Sequence, residues 1–145
     1  GEPAYTHCVL HDLTERRRAE EELRRLQTAI EQSGEIVVIT DANGSIFYVN
    51  PAFTRSTGYS REEVLGRNPR ILKSGRQNQD FYREMWTTIS SGETFRCRMV
   101  NRRKNGILYT EEAVISPVRD FSGRIGRRHK KRGRFAPPFW FRKSE

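Results

Sequence analysis

Histidine and cysteine, which carry much of the nucleophilic, acid–base and metal chemistry of proteins, are scarce in this 145-residue chain. The three histidines are His7, His11 and His129, and the two cysteines are Cys8 and Cys97. Two cysteines build neither a disulfide framework nor a zinc quartet. With every histidine near an end of the chain, no Ser/His/Asp or Cys/His set can assemble inside a central domain. Long apolar runs are missing as well. Nothing approaches the roughly 18–20 residues a membrane helix needs, and no signal peptide opens the chain. Hydrophobic residues make up only 34% and mean hydropathy is −0.82, so part of the chain is not expected in a core. A soluble, reducing, cytoplasmic setting is expected, with one domain plus flanking segments.

Charge is abundant but uneven. The formal net charge is +9, from 27 Lys and Arg against 18 Asp and Glu. Residues 1–118 hold 17 basic and 16 acidic side chains, a net of +1, while residues 119–145 hold 10 and 2, a net of +8. The basic character belongs to the end of the chain, not to the body of the molecule.

Asp12 and Glu15 stand three apart like a capping box, and Ala19, Leu23, Leu26 and Ile30 then recur at helical spacing among Glu and Arg. That seam needs a partner, either the rest of this domain or a second copy in a parallel coiled coil. The period next changes to two. Glu35-Ile36-Val37-Val38-Ile39-Thr40, the turn residues Asp41-Ala42-Asn43-Gly44 and Ser45-Ile46-Phe47-Tyr48-Val49-Asn50 read as a β-hairpin. Pro51 opens a short helix that stops near Gly58, and Ser60-Arg61-Glu62-Glu63 caps another that ends at Gly66. Residues 67–78 read as a loop. Tyr82, Met85, Trp86 and Ile89 mark an amphipathic helix closed by Ser91-Gly92. Phe95, Cys97 and Met99 alternate with Arg96 and Arg98, and Lys104-Asn105-Gly106 turns this strand into a long return from Ile107 to Val118. Asp120-Phe121-Ser122-Gly123 is a further turn that should introduce one more strand.

Six stretches carry a resemblance: Ile39-Thr40-Asp41-Ala42-Asn43-Gly44, Tyr48-Val49-Asn50-Pro51-Ala52-Phe53, Thr57-Gly58-Tyr59-Ser60, Gly66-Arg67-Asn68-Pro69-Arg70, Asn101-Arg102-Arg103-Lys104-Asn105-Gly106 and Ile115-Ser116-Pro117-Val118. In this order and spacing they resemble a PAS domain of the S-box type. The resemblance implies an α+β fold with a five-stranded antiparallel sheet, helices on one face, a ligand pocket between them, and a preceding signalling helix. Residues 1–12 are then the end of a preceding domain, 13–34 the linker helix, 35–125 the PAS domain and 126–145 a basic aromatic tail. It also implies a fragment of a bacterial multi-domain sensor, typically a histidine kinase or diguanylate cyclase in a two-component phosphorelay.

The adjacent carboxylates Glu62-Glu63 sit in a helix cap, and Glu111-Glu112 alternate across a strand, so neither is a catalytic pair. No enzyme activity is expected of this chain. Haem-binding relatives use a histidine on the helix that here carries Tyr82, Met85 and Trp86, which argues against haem. Light-sensing LOV relatives carry a reactive cysteine where Pro69 stands, which argues against cysteinyl-FMN. Residues 66–75, the helix with Phe81, Tyr82 and Trp86, and the 101–104 hairpin resemble redox-sensing PAS domains that bind FAD. An isoalloxazine ring needs a flat apolar slot and amide or carboxyl groups at its edge. Trp86 and Phe95 are the candidates for the slot, and Asn50, Asn68 and Glu112 for the edge. Asn50 has a second reading as the cap of the following helix, and the aromatics a second reading as plain core.

Arg127-Arg128-His129-Lys130-Lys131-Arg132-Gly133-Arg134, followed by Phe135, Phe139, Trp140 and Phe141, offers cations for phosphates and rings for bases. The family instead expects a last strand here resembling Phe-Val-Ala-Ile-Lys-Lys-Glu. Codons for that heptapeptide, read two bases along, can give the order found from Arg127. Residues from about 126 onward therefore read as an out-of-frame, disordered tail, with the final strand missing or degraded. Specific nucleic-acid binding is not expected. The function expected is a PAS sensory module that responds to a small ligand or redox state and signals as a homodimer to adjacent PAS, kinase or cyclase domains. A ligand-free dimerisation spacer is the alternative.

Overall fold

The computed structural model describes the backbone of residues 5–41, 43–119 and 139–144, and the side chains of residues 12–41 and 43–119. The chain divides into two compact units, Gly1–Gln32 and Ser33–Glu145. The first is a single helix, α1 (Tyr5–Gln32). It begins well before Asp12, which therefore lies inside the helix and is not its cap. Between Pro3 and Gly34 no glycine or proline interrupts the run, so nothing stops the helix from extending upstream. Exposed pairs one turn apart, Arg16–Glu20 at 3.2 Å and Glu21–Arg25 at 2.8 Å, brace its polar surface. No described helix is long and apolar enough to cross a membrane.

The second unit opens with the hairpin β1 (Val37–Thr40) and β2 (Ile46–Val49). Its turn is built by Asp41, whose carboxylate accepts from the N–H groups of Asn43 and Ser45, both at 2.8 Å. Helices α2 (Pro51–Thr57) and α3 (Arg61–Val64) follow, then a 3₁₀ turn over Pro69–Leu72 inside the stretch expected as loop, and α4 (Gln79–Ser90). Both bonds of the Ser60–Glu63 capping box are formed. The strands β3 (Phe95–Arg102) and β4 (Leu108–Pro117) form the long second hairpin.

A fifth strand, β5 (Phe139–Ser144), completes the antiparallel sheet, whose order is β2-β1-β5-β4-β3. This corrects the expectation of a missing final strand. The correction has a physical basis: without β5, the inner edges of β1 and β4 would both lie unpaired, and Phe139-Trp140-Phe141 has high strand propensity. Phe141 stands in register with Val38 on one side and Ile115 on the other. The basic run Arg127–Arg134 and the turn at Asp120–Gly123 lie outside the described residues.

Both outer edges of the sheet are covered by chain. Ile46 of β2 exchanges backbone bonds with Gly66 and Arg67, each at 2.8 Å. Asn101 of β3 forms a backbone bridge with Lys73, and the Ser74 hydroxyl donates to the Val100 carbonyl. Among the described residues the core falls into two clusters. One gathers Ile36, Val38, Ile46, Val49, Phe53 and Val64 with Leu72. The other gathers Met85, Ile89, Phe95, Met99, Ala113 and Ile115.

Candidate functional site

Between the two clusters lies a cavity of about 670 Å³, within the size range of small-molecule and cofactor sites. Its walls are mainly apolar: Phe53 of α2, Leu72 of the 3₁₀ turn, Trp86 of α4, and Met99 and Ile115 of the sheet. One end is polar, where Asn101, Tyr109 and Glu111 project from the β3–β4 hairpin. Arg70, Lys73 and Arg83 also line it and bring positive charge. Arg83 is paired with Asp80 at 2.7 Å, and the Lys73 ammonium sits 4.2 Å from the centre of the Tyr82 ring.

Glu111 is 2% exposed and accepts a hydrogen bond from the Asn101 amide. Such a group stays buried only because it is partnered. The Tyr109 hydroxyl is also buried, beside the Asn101 amide. Burial, and then the nearby Glu111 carboxylate, push the Tyr109 hydroxyl well above its ordinary pKa of 10.0. On the same sheet face the Cys97 thiol is pushed up to about 11, again by burial first and Glu111 second. It is not a reactive thiolate.

The five residues singled out from sequence for the pocket separate here. Asn68 and Trp86 line the cavity. The Asn68 side chain also caps the 3₁₀ turn, accepting from the Arg70 N–H at 3.0 Å. Asn50 and Phe95 are not among the lining residues. Asn50 accepts from the N–H groups of Val37 and Phe53 at 3.0 and 3.2 Å and donates to the Glu35 carbonyl at 2.8 Å, so it is spent on scaffold. Phe95 packs edge-on against Phe81 at 5.6 Å in the second core cluster. Glu112 is exposed on the opposite face, and its neighbour Glu111 takes the inward position.

Sequence reasoning missed Glu111, Tyr109 and Asn101, although the signal was present. The Asn105-Gly106 turn sets the pairs Arg102↔Leu108, Asn101↔Tyr109 and Met99↔Glu111. Met99 alternates onto the apolar face of its strand, so the residue opposite it shares that face.

An antiparallel sheet with short helices set over one face, enclosing a cavity, is what the PAS resemblance implied. Residues 24–127 match the family model described as the PAS fold. The chain belongs to the PAS family. It is 39% identical over 98 residues to the nitrogen fixation regulatory protein of Klebsiella oxytoca, covering 68% of this chain and 20% of that protein. It is 37% identical over 97 residues to hybrid signal transduction histidine kinase L of Dictyostelium discoideum, covering 67% of this chain and 6% of that protein. Among solved structures, an RNA-binding light-oxygen-voltage receptor is similar, with a TM-score of 0.68 and 26% identity over 83% of this chain and 31% of that one. The chain spans a fifth or less of the length of these two regulatory proteins. A PAS domain is a sensory and signal-transduction module and is not itself catalytic, and its relatives here include regulators and histidine kinases.

Proposed function

We propose that this PAS domain senses a small ligand held in the 670 Å³ cavity and relays its state through a dimer of α1 to an output domain elsewhere in the parent protein. The observation that carries the reading is the polar end of that cavity. A buried Glu111–Asn101 pair and a buried Tyr109 hydroxyl face an otherwise apolar space. Such groups give a bound molecule its orientation and specificity.

FAD is the candidate ligand that these residues fit. Apolar walls with Trp86 offer a slot for the ring, Asn101 and Glu111 would meet its hydrogen-bonding edge, and Arg70, Lys73 and Arg83 would face phosphates. When bound, a flavin supplies reversible redox chemistry. The chain's own residues do the rest: Glu111 and Asn101 orient the ring edge, and Phe53, Leu72 and Met99 exclude water from it. Signalling through α1 is supported by its exposed apolar seam, with Leu23 at 67%, Leu26 at 58% and Ile30 at 36% exposure, beside Ala19. A bacterial, cytoplasmic histidine kinase or diguanylate cyclase is the parent protein proposed.

The absorption spectrum of the purified chain tests the ligand. Bands near ~450 nm are expected from an oxidised flavin ring, with the flavin recovered on denaturation. A protein that yields no small molecule by mass spectrometry favours the second reading, a ligand-free dimerisation spacer. That reading draws on Asn50 and Asn68, whose amides already serve as helix caps. Light scattering on Leu23→Glu/Leu26→Glu tests the relay: a dimer that survives the double substitution removes the α1 seam as the interface.

A further inference from the structure

The short helix α2 is held at its C-terminal end by the tip of the β3–β4 hairpin and at its N-terminal end by its own cap residue, Asn50. At its C-terminus the last-turn carbonyls have no partners within the helix. The tip of the β3–β4 hairpin supplies them: the Arg103 guanidinium donates to the Ser56 carbonyl, and the Lys104 N–H donates to the Thr57 carbonyl at 2.9 Å. Two cationic residues at a helix C-terminus also suit its dipole. Arg103 has a second contact, its guanidinium carbon lying 5.0 Å from the centre of the Tyr109 ring. Tyr109 lines the cavity.

At the N-terminus of α2, Asn50 caps Phe53 and at the same time grips the chain between α1 and β1. Its side chain accepts from the Val37 N–H and donates to the Glu35 carbonyl, while its own N–H donates to the Val37 carbonyl at 3.1 Å. Glu35 is the third residue after α1 ends at Gln32. Along the length of α2, the fully buried Phe53 touches the cavity, and the buried Thr57 hydroxyl is tied back to the Phe53 carbonyl at 2.9 Å.

We propose that α2 is a strut coupling the cavity to the start of β1, with Arg103 as the coupling at its C-terminal end and Asn50 at its N-terminal end. A shift of Tyr109 by whatever occupies the cavity moves the Arg103 guanidinium stacked on it, and with it the last turn of α2. The helix is only two turns long and too short to bend, so the displacement reaches Asn50 and the backbone that follows α1. The inference holds whichever ligand the cavity takes, and it stands or falls separately from the flavin reading. Arg103 is a positioning residue in this scheme.

The test is amide hydrogen exchange, read residue by residue by NMR on the full 145-residue chain. Arg103→Gln should accelerate exchange of the Val37 amide, at the far end of α2, by on the order of three- to tenfold, the range spanned by one net hydrogen bond. The amides of β3 and β4 should keep their protection. Lys104→Met, which removes the side-chain contacts to Glu63 and the Tyr59 ring but keeps the backbone bond to Thr57, should move Val37 far less than Arg103→Gln. Should Arg103→Gln fail to fold, Arg103→Lys keeps a cation on α2 while losing the planar stack, and a smaller acceleration at Val37 is expected. Three outcomes overturn the proposal: faster exchange at Gly58 with none at Val37, equal acceleration across β3 and β4, or an equal response to Lys104→Met.

Discussion

Truncating Asn50 gives the sharpest test of how this domain is held together. The side chain is 1% exposed and makes three hydrogen bonds, to the Val37 and Phe53 N–H groups and to the Glu35 carbonyl. Asn50→Ala removes the side-chain acceptor of the Val37 N–H and the side-chain donor to the Glu35 carbonyl, while the Phe53 N–H keeps the Asn50 backbone carbonyl at 3.1 Å. A group left unsatisfied costs roughly 1–3 kcal/mol when buried, and loss of the cap alone costs about 1 kcal/mol. Water reaches part of the Glu35–Val37 segment, so the lower half of the range applies to these two groups, giving a total of about 2–4 kcal/mol. A domain of this size has only about 5–15 kcal/mol in hand. Urea denaturation should show the midpoint falling sharply with an unchanged slope, and Tm should drop by on the order of 15 °C. Asn50→Asp keeps both acceptor functions, loses the donor to Glu35 and sets a carboxylate oxygen against that carbonyl, so its loss should be intermediate. A loss under about 1 kcal/mol for Asn50→Ala, with altered ligand content instead, would refute the scaffold assignment and return Asn50 to the ligand's edge.

Three other outcomes are expected. Glu111→Leu should lower the amount of co-purifying small molecule by about tenfold or more, the cost of about one lost charge-assisted bond, while Glu112→Leu on the opposite face should leave it unchanged, as read by absorbance and mass spectrometry. Cys97 should alkylate slowly at neutral pH and faster only as pH approaches about 11; because the unfolded thiol ionises near its ordinary 9.0, stability should fall between those values, and Cys97→Ala should flatten that loss. Gly58 ends α2 with φ +80, and a Cβ there would stand 3.5 Å from the Lys104 Cβ, an ordinary contact, so Gly58→Ala should cost about 1 kcal/mol through backbone strain alone, measurable by thermal denaturation.

Much of this molecule was legible in short stretches of sequence, because the interactions concerned are local. The Asp41 turn, the Ser60–Glu63 capping box, Pro51 at the first position of α2 and the Lys104-Asn105-Gly106 turn each involve residues within four positions of one another. The choice between Glu111 and Glu112 needed one further step, the hairpin register, because adjacent strand residues differ only in which face they present. The role of Asn50 spans both levels: its cap on Phe53 is local and readable, whereas its grip on Glu35 and Val37 is a contact across 13–15 residues.

The sequence by itself determined the family, the order of helices and strands through β4 and the apolar seam on α1, since these rest on periodicity and on residues whose backbone preferences act locally. Tertiary structure alone decided the rest. The cavity is lined by residues far apart in the chain, from Ile36 to Ile115. Its polar end is set by strand pairing that brings Asn101, Tyr109 and Glu111 to one place. The sheet closes with β5 between β1 and β4, a position no local pattern around Phe139 announces. Unpaired strand edges demand hydrogen-bond partners, and where those edges lie is a property of the folded chain.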